Sequence, residues 1–239
     1  MILRGSWGSA ALLFLYAVPF SFAYVSLNAG TGALILFGAV QATMLVAALS
    51  SGERPHLVEW VGLILALGGL VYLVMPGLAA PSPVGCALMV TAGIAWGVYS
   101  LRGRGASNPL AETGGNFARS VPLAIGVSMA AAPHAAFHAE GAVLAVVSGA
   151  LASGLGYVAW YAALSGLSAT RAATVQLVVP LMAAAGGVLF LSERITVRLI
   201  VAAILILGGV ALALTRTERR RRRPHPPEAR SAPEPAART

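Results

Sequence analysis

Apolar residues fill this chain in blocks of about 20, the length that carries an α-helix across a bilayer core. Short polar turns separate the blocks. Eight are readable, over 7–27, 29–50, 58–76, 82–101, 117–133, 140–164, 170–191 and 196–215. The first is too long to be a removable signal peptide, and too poor in a charged start and a small-residue cleavage site. The third and eighth blocks carry the same pattern of positions. Residues 53–76, ERPHLVEWVGLILALGGLVYLVMP, lie over residues 193–216, ERITVRLIVAAILILGGVALALTR, at a constant offset of 140. Eight residues coincide: Glu53/Glu193, Arg54/Arg194, Val61/Val201, Ile64/Ile204, Leu65/Leu205, Leu67/Leu207, Gly68/Gly208 and Gly69/Gly209. The offset also sets FSFAYVSLNAGTGALI (20–35) over WYAALSGLSATRAATV (160–175). Helices 1, 2 and 3 therefore correspond to helices 6, 7 and 8, while helices 4 and 5 have no counterpart.

Composition agrees with the pattern. The chain is 58% hydrophobic and 10% charged, with a mean hydropathy of +0.81; a soluble domain carries about 25% charged residues. The expected fold is an all-α polytopic membrane protein of about eight transmembrane helices, an inverted repeat with an incomplete first unit. Its parts are residues 1–77 (three helices), 78–216 (five helices) and a disordered Arg/Pro-rich tail over 217–239. All 16 basic residues are arginine, and eight of them lie from Arg216 onward. The tail follows a membrane helix, so its arginines predict a cytoplasmic stop-transfer segment in contact with anionic lipids rather than with nucleic acid. With the tail inside, eight spans place both termini in the cytoplasm. Arg4, Arg54, Arg102, Arg104, Arg119 and Arg171 then fall at cytoplasmic helix ends, and Arg194 and Arg198 outside. The expected location is a cell (inner or plasma) membrane. The two matching turns then lie on opposite faces, the arrangement secondary transporters use for alternating access.

Candidate chemistry is sparse. A polar side chain in a bilayer is costly, which makes it a functional site or an interhelical contact by default. Gln41 and Gln176 are the strongest candidates, each amide offering two donors and an acceptor to a polar solute. Pro180 follows Gln176 and predicts a kink that exposes carbonyls. Tyr157, Trp160 and Tyr161 share one helix face by their spacing. Trp96 and Tyr99 do the same on helix 4, and Tyr16, Phe20 and Tyr24 on helix 1. The expected substrate cavity is lined by Gln176, Pro180, Trp96, Tyr157, Gln41 and Tyr161. Ser and Thr hydroxyls in the spans are expected to bond back to their own helices. Gly149/Ser153, Ala152/Gly156 and the two Gly pairs predict close helix approach. Glu53–Arg54 and Glu193–Arg194 predict helix caps at the two hairpins.

No Asp is present and no His lies in a predicted span, so the residues a membrane enzyme needs are missing. The expectation is a non-enzyme without cofactor. His134 and His138 are four apart without a third ligand, which argues against a metal site. A single cysteine, Cys86, excludes a disulfide framework. No carboxylate stands near a helix midpoint to couple transport to an ion.

Three segments carry a family resemblance. LSSGERPHLVEWVGLILALGGLVYLV (49–74) and VPLMAAAGGVLFLSERITVRLIVAAILILGGVAL (179–212) resemble the closing hairpin of EamA-type domains in the drug/metabolite transporter superfamily. GIAWGVYSLRGR (93–104) resembles the helix that opens such a repeat, with Trp96 at its Trp-Gly position. The resemblance runs over about residues 7–216 and is strongest over 82–215. It implies ten helices, a cavity between two repeats, and transport of small metabolites, export being the expected direction and amino-acid-like or amphipathic solutes the expected cargo. This chain lacks the first two helices of that plan. The expectation is therefore roughly 55–60 further residues ahead of Met1, enough for two spans and their turns. The alternative is a non-transporting membrane subunit or fragment that needs a partner or a homodimer to close its cavity.

Overall fold

The computed structural model describes residues 4–75, 82–134, 138–190, 192 and 194–214. The expected boundary between units at 77/78, the tail over 217–239 and Glu193 lie outside the described residues, as does the His134 side chain. The described chain is helical throughout. Its elements are α1 (Trp7–Ala23), α2 (Ala29–Ser50), α3 (Leu57–Val74), α4 (Pro83–Gly103), α5 (Pro109–Ala131), α6 (Ala139–Val146), α7 (Gly156–Leu164), α8 (Ala169–Gln176), α9 (Val178–Phe190) and α10 (Val197–Leu214). A π-helical segment, Val147–Leu155, joins α6 to α7. α2, α3, α4, α10 and the composite rods Ala139–Leu164 and Ala169–Leu189 are each long and apolar enough to cross a membrane. α1 is a shorter apolar helix.

Helix starts follow from capping chemistry. The first amide groups of a helix lack internal partners, and Ser or Asn side chains supply them. Ser6, Asn28, Ser82, Asn108 and Ser168 do so for α1, α2, α4, α5 and α8. Pro83 and Pro109 stand in the first helical turn, where their missing N–H costs nothing.

The first and second halves of the chain meet along α3 and α10, and the seam is built of small residues. A Cβ on Gly209 would strike the Gly62 carbonyl and lie 2.7 Å from Ala66 N. A Cβ on Gly69 would lie 2.8 Å from Ile206 Cγ1. Contacts run 62 to 213, 66 to 209 and 69 to 206, so the helices are antiparallel. Under the 140-residue offset, the Gly69–Ile206 contact becomes the Gly209–Ala66 contact. α1 and α4 are also antiparallel, with Arg102 bonded to Ser9 at one end and Tyr16 against Trp96 farther in.

These contacts gather Arg4, Arg54, Arg102, Arg104, Arg119 and Arg171 at one end of the bundle. Arg119 donates to the Arg4 carbonyl, Arg102 to Ser6 and Ser9, Arg104 to Glu53 and Arg171 to Glu59. Arg54 adjoins Glu53 in the turn between α2 and α3. Arg194 and Arg198 flank the start of α10, at the opposite end.

Three expectations need correction. α5 begins at Pro109 rather than near 117, because its polar first turns are buried, not looped out. Asn116 Oδ1 accepts from Ser6 N–H at 3.1 Å, and Arg4 N–H donates to the Ala111 carbonyl at 3.1 Å. The expected small-residue contacts of Gly149, Ser153, Ala152 and Gly156 do not form. That stretch is the wider π segment, none of its residues is buried, and a Cβ on Gly149 or Gly156 would meet nothing. Within the two glycine pairs only Gly69 and Gly209 face the seam; Gly68 and Gly208 point into open space. Adjacent helical residues differ by about 100°, so one of each pair must turn away. Four of the span hydroxyls bond back as expected, Ser21, Thr43, Thr91 and Thr174 each donating to the carbonyl four residues earlier, whereas Thr31 Oγ1 is buried without a partner among the described residues.

Candidate functional site

α2, α4, α7 and α8 cross at the centre of the described bundle, and sequence decides how closely. Gly93 and Gly97 on α4 let α2 approach. A Cβ on Gly93 would lie 2.6 Å from Ala39 Cβ and 2.7 Å from the Leu36 carbonyl; one on Gly97 would lie 3.0 Å from Thr43 Cβ. α8 then lies across α2. It stops at Gln176, turns through Leu177, and resumes as α9 at Val178. The covalent cause is Pro180. Its ring nitrogen carries no hydrogen, so the Gln176 carbonyl loses the partner that a continuous helix would supply.

A chain of hydrogen bonds fills this crossing. Gln41 Nε2 donates to the Ala173 carbonyl at 2.6 Å. Gln176 Nε2 donates to Met44 Sδ at 3.0 Å, and Gln176 Oε1 accepts from the Trp96 indole N–H at 2.5 Å. Both glutamines are buried, at 5% and 3% exposure. Gln41 Oε1 is buried and has no partner among the described residues. An unpaired buried acceptor costs about 1–3 kcal/mol, so this position holds an unmet demand for a donor.

Aromatic rings wall the other side. Trp96 lies 4.8 Å from Tyr16 and 4.8 Å from Tyr157, ring centre to ring centre, and 5.7 Å from Tyr99. Tyr161 packs 5.0 Å from Tyr99, and its hydroxyl donates to the Tyr99 carbonyl at 3.3 Å. Gly103 makes room for that ring, since a Cβ there would collide with Tyr161. Trp160 N–H donates to Ser100 Oγ at 3.0 Å. Gln176 bonds Trp96, whose ring packs on Tyr157, and Gln41 joins α8 at the Ala173 carbonyl, one turn before Gln176. Tyr161 stands one helical turn beyond Tyr157, and Pro180 is buried at the start of α9.

Two acidic residues enter the structure in roles their sequence context does not disclose. Glu53 was expected to cap its own hairpin. Its carboxylate instead accepts from Ala169 N–H at 3.0 Å, Thr170 N–H at 3.5 Å and Thr170 Oγ1 at 3.4 Å, at the first turn of α8. Arg104 Nη2 donates to the same carboxylate at 3.4 Å. Glu59 is 7% exposed and accepts from Arg171 Nε at 2.9 Å, while its other oxygen accepts from His56 N–H. The spacing of His56 and Glu59 signals a helix start; nothing local signals Arg171. Met44 is likewise silent in the sequence, one apolar residue among many.

A concavity of about 580 Å³ lies on the outer flank between α9 and α10, lined by Leu181, Ile200, Ile204, Leu207 and Gly208 among others. Its described lining has no polar side chain to orient a metabolite.

Residues 83–215 match the EamA-like transporter family. An uncharacterized protein of Pseudomonas aeruginosa is 52% identical over 213 residues, which is 88% of this chain and 74% of that protein. The threonine/homoserine exporter RhtA of Escherichia coli K12 is 28% identical over 176 residues, covering 72% of this chain and 59% of the exporter. A solved crystal structure superposes with a TM-score of 0.73 at 20% identity, covering 90% of this chain and 77% of that one.

Proposed function

The chain belongs to the EamA-like transporter family, which makes it a membrane transporter of small molecules, and we propose that it exports an amino-acid-like metabolite by alternating access. The observation that carries this reading is the polar crossing of Gln41, Gln176 and Trp96 inside a largely apolar bundle. Ligand sites of this kind combine a largely apolar wall with a few placed polar groups. Here the groups are the Gln41 acceptor without a partner, the Gln176 amide and carbonyl at the helix break, and the Trp96–Tyr157 wall. Together they suit a solute with one hydrogen-bond-donating end and a short apolar body. The name of the Escherichia coli relative supports export and an amino-acid-like cargo.

The antiparallel α3–α10 seam supports reading the chain as two units inserted in opposite senses. Six arginines at one end support placing that end in the cytoplasm, with the bundle in a cell membrane.

The test is efflux from proteoliposomes loaded with radiolabelled threonine or homoserine. Protein of native sequence should release substrate faster than empty vesicles. Gln176→Ala should cut the rate about tenfold or more, the cost of one buried charge-assisted or well-placed hydrogen bond. Pro180→Ala, which can restore the helix and reclaim the Gln176 carbonyl, should also slow efflux. Full flux in both variants would remove the site from the mechanism.

A further inference from the structure

We propose that Glu53 and Glu59, with Arg104 and Arg171, form the gate that holds the arginine-rich end of the transporter shut. The inference rests on the transport reading above and adds the residues that decide which end is open.

Both carboxylates leave one short stretch, the turn into α3, and both engage the first turn of α8. That turn belongs to the other half of the chain. Glu53 takes the Ala169 and Thr170 amides and the Thr170 hydroxyl. Glu59 takes the Arg171 guanidinium. Arg104, at the end of α4, closes the ring by donating to Glu53 at 3.4 Å and to the Leu167 carbonyl at 3.1 Å. Three connections, α2–α3, α4–α5 and α7–α8, are therefore tied at one mouth by charge-assisted bonds.

The α8 cap comes partly from the other half of the chain. α8 already has a local cap, because Ser168 Oγ accepts from Arg171 N–H at 3.3 Å. That cap serves one of the first-turn amides, which otherwise lack internal partners. Glu53 adds a second one from 116 residues away. What the extra bonds fix is the position of α8 against the first half, and α8 carries Ala173 and Gln176 into the polar crossing. The outer of the two ion pairs is placed to break, while Arg171–Glu59 is more enclosed, at 16% and 9% side-chain exposure. Arg104 and Glu53 side chains are 31% and 24% exposed, so water can replace each partner. At the opposite end, where α10 begins, no ion pair occurs among the described residues. Among the described residues, the ion pairs gather at one mouth.

The prediction is read by accessibility, which needs no substrate. In a Cys86→Ser background, Ala172→Cys places a thiol at a position that is 0% exposed on α8. In proteoliposomes, a membrane-impermeant maleimide applied at the arginine-rich face should label it slowly. Glu53→Gln combined with Glu59→Gln keeps the side-chain shapes and removes both charges. Labelling should then accelerate about tenfold, the population shift expected for losing a charge-assisted bond in a two-state opening. The exchange Glu59→Arg with Arg171→Glu should slow labelling again relative to Glu59→Arg alone. The gate is overturned if the double glutamine variant, monodisperse in detergent, labels no faster than its parent, or if the exchange labels as fast as the single variant. Absence of threonine or homoserine efflux from protein of native sequence, with this acceleration intact, would sink the substrate reading and leave the gate; efflux without the acceleration would do the opposite.

Discussion

The α3–α10 seam makes a demand that two neighbouring glycines test against each other. Gly208→Ala and Gly209→Ala add the same methyl group to the same helix, one residue apart. Each gains about the same helix propensity, up to roughly 1 kcal/mol, so propensity cancels in the comparison. What remains is the seam. A methyl on Gly208 meets nothing within 4 Å, whereas one on Gly209 would strike the Gly62 carbonyl and lie 2.7 Å from Ala66 N and 3.0 Å from Ala66 Cβ. Two of those atoms are backbone, so relief requires the helices to separate rather than a side chain to turn. Overpacking of this kind costs about 1–3 kcal/mol. For a chain of this length that difference corresponds to about 2–12 °C in thermal midpoint. Thermal unfolding in detergent, followed by loss of the monodisperse peak, reads it directly. The seam's symmetry adds a second comparison: Gly68→Ala against Gly69→Ala should reproduce the order, since Gly69 faces Ile206 and Gly68 faces open space. Equal midpoints for Gly208→Ala and Gly209→Ala would refute the reasoning.

Gln41→Leu should leave stability within about 1 kcal/mol, because it removes an unpaired buried acceptor along with the donor to Ala173; efflux from proteoliposomes should nonetheless fall. Asn116→Ala should destabilise by about 1–3 kcal/mol, since it strips the Ser6 amide of its partner where α5 holds the start of α1, and thermal unfolding would register it. Arg171→Ala leaves Glu59 buried without its guanidinium at 2.9 Å, a loss of about 3–5 kcal/mol for a buried pair; Glu59→Gln with Arg171→Gln should recover much of it in the same assay.

Much of the fold was legible because a bilayer leaves few choices. A chain this apolar must satisfy its backbone internally, and block length then sets the helices. Glycine and proline positions carried further: Pro180 marks the break between α8 and α9, and Gly209 marks the seam. The misreadings share a cause. Polarity near 109–116 looked like a loop because a buried Asn on α5 is satisfied by α1, more than 100 residues away in the chain. Gly149 and Gly156 looked like contact residues because spacing alone cannot tell an α turn from a π turn. In the candidate site, Gln41, Gln176 and Trp96 stood out by the cost of burying them. Met44, Glu59 and Arg171 did not, since a partner's identity is a property of the folded crossing and not of either segment.

The reach of Glu53 bears on how the protein is assembled. Chains fold from the N-terminal side as they are made, and Glu53 is synthesised 116 residues before Ala169. The turn into α3 is therefore in the membrane, its carboxylates unpaired with α8, well before α8 emerges to meet them. The first half serves as a mould, and the arriving helix is seated by charges already waiting for it. A cut between the two halves should then be tolerated when both pieces are made together, with α8 docking from a separate chain onto Glu53 and Glu59.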